Sequence, residues 1–447
     1  MTHMTRYIRQ WSILLLLVTI CISATAQSVR EEIDSDPQRS AGIRYSLPTS
    51  LQQADTPAPD GKKPFYISHY GCSASYYLDK TKDYTGPIAT MAKADSLNML
   101  TPLGKDVLRR LLLVYEDAKP RVGELTEMGA QQMRQLAQQM VDRYPDLFVK
   151  GSIVDARSIV HNHNIMSMQE VMTQISRACS PMELRIKSSH SNDAWMEVRD
   201  KELEAIRFNA ETEASYQAFR QANSDDSRLM ASLFVDADYV KNHINPMILS
   251  DQLFVVAGAV QNTSLADKLT LYDIFTPDEI YGHWRIHNAR NYICYGRFKL
   301  NGTYQAYSQR APLWNLLHMG DSIKNIGHPV VHLRYSSRGM VTALICLMEL
   351  NGYGLITDDL DQLDKQGWAD FRIAPFGASV QVIHYRKDTD DDDILIKVLL
   401  NGKETRLPIE SDCAPYYHWQ DAKRYYLRKL YAYERLKYES ETDQEKK

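Results

Sequence analysis

The residues best placed to do chemistry lie where a buried apolar segment opens into a loop of small and polar residues. This stretch, residues 64–77, reads Pro-Phe-Tyr-Ile-Ser-His-Tyr-Gly-Cys-Ser-Ala-Ser-Tyr-Tyr and breaks at Gly71. The exit of a strand into a loop is a common position for catalytic groups in α/β proteins. His69 would serve as a nucleophile if it faced the loop. Strand alternation puts it on the face of Ile67 and Gly71 instead, which favours a structural histidine.

Two further groups of polar residues could bind a metal ion or could be ordinary polar loop residues. His161 and His163 are two residues apart, a spacing from which a strand can offer two imidazoles to one metal ion. No third ligand accompanies them, so we interpret them as polar loop residues. The acidic run 388–393 is interpreted as the solvated tip of a hairpin, because the spacing of an EF-hand calcium loop is missing.

Composition and cysteine spacing argue against several classes of protein. The net charge of -4 gives no sign of nucleic-acid binding, and the apolar fraction of 44% is ordinary for a globular chain. No CxxC pair or zinc-type spacing occurs, so the sequence predicts no metal site. At most two disulfides would form among the five cysteines that follow the N-terminal segment, which are Cys72, Cys179, Cys294, Cys346 and Cys413.

The N-terminal segment is typical of an export signal. Arg6 and Arg9 precede an apolar run over residues 11–23, and Ala24-Thr25-Ala26 is a small-x-small cleavage site. The apolar run is too short for an ordinary membrane span. We therefore expect cleavage after Ala26 and a periplasmic or extracellular protein without a stable membrane span. Residues 27–63 are polar and turn-rich, which predicts a flexible lead-in.

Strand-like and helix-like patterns alternate along the chain, which predicts an α/β fold. Between residues 195 and 261 the chain is polar and helix-rich, and we interpret this region as an inserted helical lobe. The expected organisation is a first core part over 64–180, the lobe over 181–265, a second core part over 266–437 and a charged tail over 438–447.

Several separate stretches, spread over nearly all of the chain after Ala26, carry a resemblance to a known family. They are Tyr66 to Gly71, Gly123 to Gly129, Ala156 to Ser158, Leu333 to Tyr335 with Met348 to Leu350, and Ala374 to Ala378 with Gln381. Their order and content resemble the histidine acid phosphatases, in particular the bacterial phytases and multiple inositol polyphosphate phosphatases. The resemblance implies a central mixed sheet flanked by helices, with the helical lobe inserted.

The resemblance also implies a chemistry. In this family a neutral histidine attacks phosphorus and becomes a phosphohistidine. Several arginines hold the phosphoryl oxygens, and a carboxylic acid beside a second histidine protonates the leaving alcohol. Water then hydrolyses the intermediate, and no metal or organic cofactor takes part.

The residues that perform these steps are replaced at the loop after Gly71. The first phosphate-binding arginine of the motif falls on Cys72, the nucleophilic histidine on Ser73, the loop glycine on Ala74 and the second arginine on Tyr76. A serine hydroxyl needs a neighbouring base, and the sequence places none beside Ser73.

The second catalytic motif is also replaced, and one phosphate ligand remains. The histidine of the proton-donor pair falls on Ser337 and its acid on Arg338, whose guanidinium does not release a proton at working pH. Arg157 keeps a family-type phosphate-binding position. The resemblance therefore implies an exported, catalytically impaired pseudophosphatase that binds phytate, another inositol phosphate or another anion through Arg157 and Arg338.

Two alternatives stay open on the sequence alone. The first is an active phosphomonoesterase of the phytase type that uses His69 or a relocated group. The second is a structural or interaction protein whose former cleft has closed, which an aromatic-filled pocket around Tyr76 and Tyr77 would favour. The sequence names no protein partner for any of these readings.

Overall fold

A computed structural model describes residues 27–49, 55–178 and 181–445 of the chain, and it confirms the predicted α/β fold. The export signal and the cleavage after Ala26 lie outside these described residues, as does Cys179. The other four cysteines that follow Ala26, namely Cys72, Cys294, Cys346 and Cys413, are free thiols. In the described part of the chain, no helix has the combination of length and apolar character that crossing a membrane requires.

A large mixed sheet forms the centre of the fold. Its strands are β1 (Lys63–Cys72), β2 (Ile153–Ser158), β3 (Glu183–Ser188), β5 (Val330–Ser336), β7 (Ser379–Arg386), β8 (Leu395–Leu400), β9 (Lys403–Glu404) and β10 (Tyr416–His418), while β4 (Arg297–Phe298) and β6 (Ile356–Thr357) form a separate pair. The order across the sheet is β10-β8-β7-β1-β5-β2-β3, and β9 pairs with β8. β1, β5, β2 and β3 run parallel, whereas β7, β8 and β10 add antiparallel strands.

The parallel half of the sheet decides where a site can form. Cys72 of β1 pairs with Ser336 of β5, and Ser158 of β2 pairs with Tyr335. Because these strands run in the same direction, the loops that follow them leave the sheet at one edge. The loop after β1 and the turn that follows β5 therefore lie side by side.

The helices cover both faces of the sheet and build the lobe. They are α1 (Val29–Ser35), α2 (Thr81–Ser96), α3 (Pro102–Ala118), α4 (Glu127–Arg143), α5 (Asn162–Ala178), α6 (Asp193–Met196), α7 (Lys201–Ile206), α8 (Ala210–Asn223), α9 (Ser227–Leu233), α10 (Ala237–His243), α11 (Pro246–Val260), α12 (Pro277–Tyr295), α13 (Arg310–Ile323), α14 (Arg338–Met348), α15 (Asp370–Ile373) and α16 (Trp419–Glu445). Several of these helices start at a side-chain cap: Thr126 accepts the Gly129 amide at 3.0 Å, and Thr276 forms a capping box with Glu279.

Two boundaries differ from those expected. Residues 183–188, which the boundary at 181 puts into the helical lobe, form β3 beside β2. This strand lies at the sheet edge with most of its side chains exposed, so its sequence lacks the apolar run by which buried strands are recognised. Helices then follow from Asp193 onward.

The lead-in is the second difference, because residues 28–45 contain helical structure that packs on the core. Ser28 and Glu31 form a capping box on α1, whose Val29 and Ile33 are buried in the core. A 3₁₀ segment, Pro37–Arg44, follows and ends where the Tyr45 carbonyl accepts the Phe376 amide at 2.8 Å. The segment is polar in composition, yet Val29, Ile33 and Tyr45 are buried, and their packing outweighs the composition.

Candidate functional site

Backbone groups of the loop after β1 are engaged in hydrogen bonds within the protein. The Ala74 amide donates to Ser167 Oγ at 3.2 Å, and the Ser75 amide donates to Gln132 Oε1 at 3.4 Å. The Ser73 carbonyl accepts the Gly377 amide at 3.0 Å. Loop amides that cradle a phosphate must be free to donate to it. The amides of Ala74 and Ser75 are already used inside the protein.

Ser73, which the sequence resemblance places at the nucleophile position, has no base beside it among the described residues. The side chain is buried, with 2% of its surface exposed. In the part of the chain that the structure describes, no histidine nitrogen or carboxylate oxygen hydrogen-bonds to its hydroxyl. A serine in this setting remains a weak nucleophile.

Tyr76 lies at the centre of the site, in a stack of aromatic and cationic groups. Its ring is parallel to that of His163, with ring centroids 3.9 Å apart and an angle of 4° between the planes. The guanidinium of Arg338 lies 4.8 Å from the Tyr76 centroid and 4.4 Å from that of Phe376. Phe376 also meets Tyr76 edge to face at 5.0 Å. These contacts combine aromatic packing with cation–π attraction and fix the ring in place.

Arg338 begins α14 and brings positive charge to the position that the sequence resemblance assigns to the family's acid. Its Nη2 donates to the Tyr76 hydroxyl at 2.7 Å, and that hydroxyl donates to Asp79 Oδ2 at 3.2 Å. Its Nη1 is buried and has no hydrogen-bond partner among the described residues. The N-terminus of α14 adds the positive end of a helix dipole. An anion would satisfy the unused guanidinium donor.

Arg44 adds a second guanidinium to this site and was not predicted. Burial lowers its pKa, and the positive charge of Arg338 lowers it further. Asp79 and Asp83 oppose that effect, so Arg44 faces the same group of charges as Tyr76. It comes from the lead-in segment, whose composition gave no reason to expect a site residue.

Glu197 is a carboxyl that sequence reasoning also missed. Burial raises its pKa, while His161 and a hydrogen bond with Ser337 oppose the rise. Ser337 caps α14 by accepting the Met340 amide at 3.3 Å. A carboxyl with a raised pKa beside the donor position can hold a proton. Glu197 lies between two short helical segments, in a stretch without a recognisable motif.

The structure does not bring Arg157 together with Arg338. Arg157 donates to both carboxylate oxygens of Asp155, at 2.8 and 3.0 Å, and its guanidinium lies 5.7 Å from the ring of Trp195. Arg334 also donates to Asp155, at 3.0 Å. Arg157 is thus committed to an ion-pair cluster on the sheet, and none of its contacts reaches Tyr76.

His69 faces a different space from the Tyr76 group. It lines a cavity of about 580 Å³ with Met140 and Gln381, and the Gln381 amide nitrogen lies 3.3 Å from His69 Nδ1. Burial, and secondarily the charge of Arg334, lower the pKa of His69 to about 3. The neutral, packed side chain agrees with the interpretation of His69 as a structural histidine.

Cys72 and the two loop histidines have structural surroundings as well. Burial raises the pKa of Cys72 to about 11, and its thiol donates to the Pro375 carbonyl at 3.4 Å. His163 Nδ1 lies 3.3 Å from the Gly123 carbonyl, and burial lowers the pKa of His163 to about 4. The rings of His161 and His163 are 5.7 Å apart, and the described residues supply no third metal ligand to them.

Three solved structures are similar to this chain over most of its length. The multiple inositol polyphosphate phosphatase of Bifidobacterium longum, in complex with inositol hexasulfate, superposes with a TM-score of 0.70 at 13% identity over 86% of this chain and 97% of that one. The phytase of D. castellii superposes with a TM-score of 0.65 at 14% identity, over 88% of this chain and 85% of the phytase. The Hafnia alvei phytase in complex with myo-inositol hexakis sulphate superposes with a TM-score of 0.51 at 12% identity, over 83% of this chain and 98% of the phytase.

The sequence itself matches no protein-family model and no curated protein. At these identities the structural similarities establish the fold and leave the chemistry to the residues of this chain.

Proposed function

Because this chain has the histidine acid phosphatase fold, we propose that it is a catalytically impaired member of that fold group that binds a multiply charged anion without cleaving it. The ligand class we propose is phytate or another inositol phosphate, held beside the loop after β1. The proposal rests on replaced catalytic residues and on a guanidinium that still lacks an acceptor.

The observation that carries the binding part is the position of Arg338. Its Nη1 is buried without a partner in the described chain, and a second guanidinium, Arg44, lies within its electrostatic reach. A neutral hydrogen-bond donor that is buried without a partner costs about 1–3 kcal/mol, and a charged donor costs more. An anion with several oxygens removes that cost and accepts from both arginines.

The impaired chemistry follows from what surrounds each candidate nucleophile. Ser73 lacks a base, and His69 faces the cavity on its own side of β1. Glu197 would serve as a proton donor, but donation without a nucleophile does not break a phosphate ester. Tyr76 also replaces an arginine of the family motif by a neutral ring.

The ligand class is supported by the similar proteins. The Bifidobacterium longum phosphatase has been solved with inositol hexasulfate and with phosphate, and the Hafnia alvei phytase with myo-inositol hexakis sulphate. Those anions carry several oxygens on a small ring, which suits a site with two guanidinium groups.

One observation favours a second candidate, a protein of this fold with a closed cleft. Tyr76 has 9% of its surface exposed and is packed between His163 and the Arg338–Phe376 pair, so the loop site is aromatic-filled as that alternative requires. In that case Arg338 serves to hold the stack, and the surface acts as an interaction platform.

We expect no release of phosphate from phytate or from p-nitrophenyl phosphate between acid and neutral pH. The purified chain is assayed beside its Ser73→Ala and His69→Ala variants, with phosphohistidine trapping on each. Phosphate release and phosphohistidine trapping that do not exceed those of the variants agree with the proposal. Turnover that His69→Ala abolishes and Ser73→Ala preserves would contradict it and make the protein an active phosphomonoesterase.

Calorimetry separates anion binding from the closed cleft. We expect saturable heat with phytate, weaker heat with inorganic phosphate, and affinities that fall as salt rises, because the contacts are electrostatic. Absence of heat up to millimolar phytate would overturn the binding proposal and favour the closed cleft.

We also propose that the protein is exported, with the segment before Gln27 removed. The support is the signal-like pattern of residues 1–26. Fractionation of producing cells and N-terminal sequencing of the mature protein check this, and a chain that stays in the cytoplasm with its first 26 residues attached would refute it.

A further inference from the structure

At the far edge of the sheet, β10 and the turn before it bring together a carboxylate, a thiol and an imidazole. Asp412 and Cys413 lie in the turn before β10, and His418 is the last residue of that strand. One ligand atom from each of the three lies within 4.8 Å of the other two. The site lies in β10 and the turn before it, beyond β8 and β7 from β1, and shares no residue with the site around Tyr76.

The imidazole is held in the orientation that a metal ligand needs. His418 Nδ1 lies 2.6 Å from Asp393 Oδ1, while Nε2 is directed at Asp412 Oδ1, 3.3 Å away. Asp393 is itself fixed, because its Oδ2 pairs with Lys62 at 3.3 Å. Each ring nitrogen faces a carboxylate, so a metal ion would take the place of the Nε2 proton that points at Asp412, while Asp393 keeps the ring oriented through Nδ1.

The thiol is also set in place by its turn. Cys413 Sγ lies 3.5 Å from both Ser411 Oγ and the Tyr416 carbonyl, and the Cys413 amide donates to Ser411 Oγ at 3.2 Å. The Asp412 side chain is 81% exposed and free to adjust. Tetrahedral zinc with bond lengths of about 2.0–2.3 Å separates its ligand atoms by about 3–4 Å. A small movement of the side chains therefore brings all three ligand atoms within bonding distance of one zinc ion.

The geometry points to a zinc site formed by Asp412, Cys413 and His418, with Asp393 as the residue that positions His418. Thiolate, imidazole and carboxylate together suit a borderline-soft cation such as Zn²⁺ better than calcium or magnesium, which prefer oxygen ligands. Three protein ligands leave a fourth position for water. Binding replaces the Cys413 thiol proton, which passes to solvent, so affinity falls in acid.

This site could not be predicted from the sequence, because its ligands do not follow a zinc-type spacing. Asp412 and Cys413 are adjacent, and His418 is brought beside them only when the turn folds back into β10. The acidic hairpin loop contributes Asp393 through the pairing of His418 with Leu395 on β8. Asp393, a residue of the acidic run 388–393, thus orients the imidazole of His418.

The test uses the purified full chain, free of tags and reduced with a phosphine. We expect one zinc per chain by elemental analysis and calorimetry, and a thiolate-to-metal absorption band when Co²⁺ replaces zinc. Cys413→Ser should remove the band, and His418→Ala should abolish tight binding. Asp393→Asn should weaken zinc by roughly 10–100-fold, as supporting carboxylates do.

The controls separate a metal site from a misfolded variant. Cys294→Ser removes a half-buried thiol elsewhere and should leave zinc binding unchanged. Asp412→Asn changes an exposed side chain, so its loss of affinity cannot come from unfolding. Zinc that binds equally well to Cys413→Ser and His418→Ala, or a chain that takes up no zinc, would overturn the inference.

Discussion

Replacing Asp155 with asparagine should lower the free energy of unfolding by about 3–5 kcal/mol. The carboxylate lies between Arg157 and Arg334, and the side chains of Asp155 and Arg334 are 9% and 5% exposed. Removing one partner of such a pair leaves the other charge buried without compensation. Urea denaturation of the wild type and the variant measures the loss.

Two controls and the pH dependence make this prediction specific. Asp358→Asn breaks an exposed pair with Lys299 and should cost about 0–1 kcal/mol. The double variant Asp155→Leu/Arg334→Met should recover part of the loss, since no charge then stays unpaired. Burial raises the pKa of Asp155, but Arg157 and Arg334 outweigh it and hold the pKa below its ordinary value.

The stabilisation by Asp155 is therefore present above the ordinary carboxyl pKa and is lost as pH falls through the lower, folded-state pKa. The gap between the wild type and Asp155→Asn should narrow in acid. A loss below 1 kcal/mol at neutral pH, or a gap that widens in acid, would show that Asp155 does not hold the cluster together.

Replacing Arg338 with glutamine should weaken phytate binding by about 1.5–3 kcal/mol, the worth of a charged hydrogen bond. The reason is that Arg338 supplies the buried Nη1 donor that lacks a partner in the described protein. Arg338→Lys keeps the charge and loses the planar fork, so it should fall between the wild type and the glutamine variant. Calorimetry at constant ionic strength measures each affinity.

Arg157 provides the matched control, because it is an arginine at the same sheet edge that is already paired with Asp155. Arg157→Gln should leave phytate affinity close to the wild-type value, and Arg44→Gln should reduce it. A larger effect of Arg157→Gln than of Arg338→Gln would place the anion on Arg157, as the sequence resemblance alone suggests, and would contradict the site described around Tyr76.

Local signals were enough to predict much of the fold. Thr126 caps the start of α4, and a threonine ahead of a helical pattern is a signal that a sequence shows by itself. The strands Val330–Ser336 and Ser379–Arg386 contain apolar residues that a sequence pattern can reveal. The edge strand 183–188 was not visible, since an exposed strand carries no apolar signal and is defined by its partner.

The site was only partly predictable for a related reason. The replaced motif positions Ser73, Tyr76 and Arg338 could be found in sequence order, and the parallel strands explain why they meet. Arg44 and Glu197 reach the site from segments without a motif, through packing that involves residues far away in the chain. Arg157 shows the converse, because a matched position acquired a partner, Asp155, two residues earlier on the same strand.

The internal hydrogen bonds of the loop after β1 bear on the evolutionary reversibility of this protein. A histidine introduced at Ser73 would enter a buried position, and the Ala74 and Ser75 amides would still be engaged by Ser167 and Gln132. Tyr76 and Arg338 would also have to change together, since each packs on the other. In the impaired protein that we propose, restoring hydrolysis would therefore require several of these positions to change together.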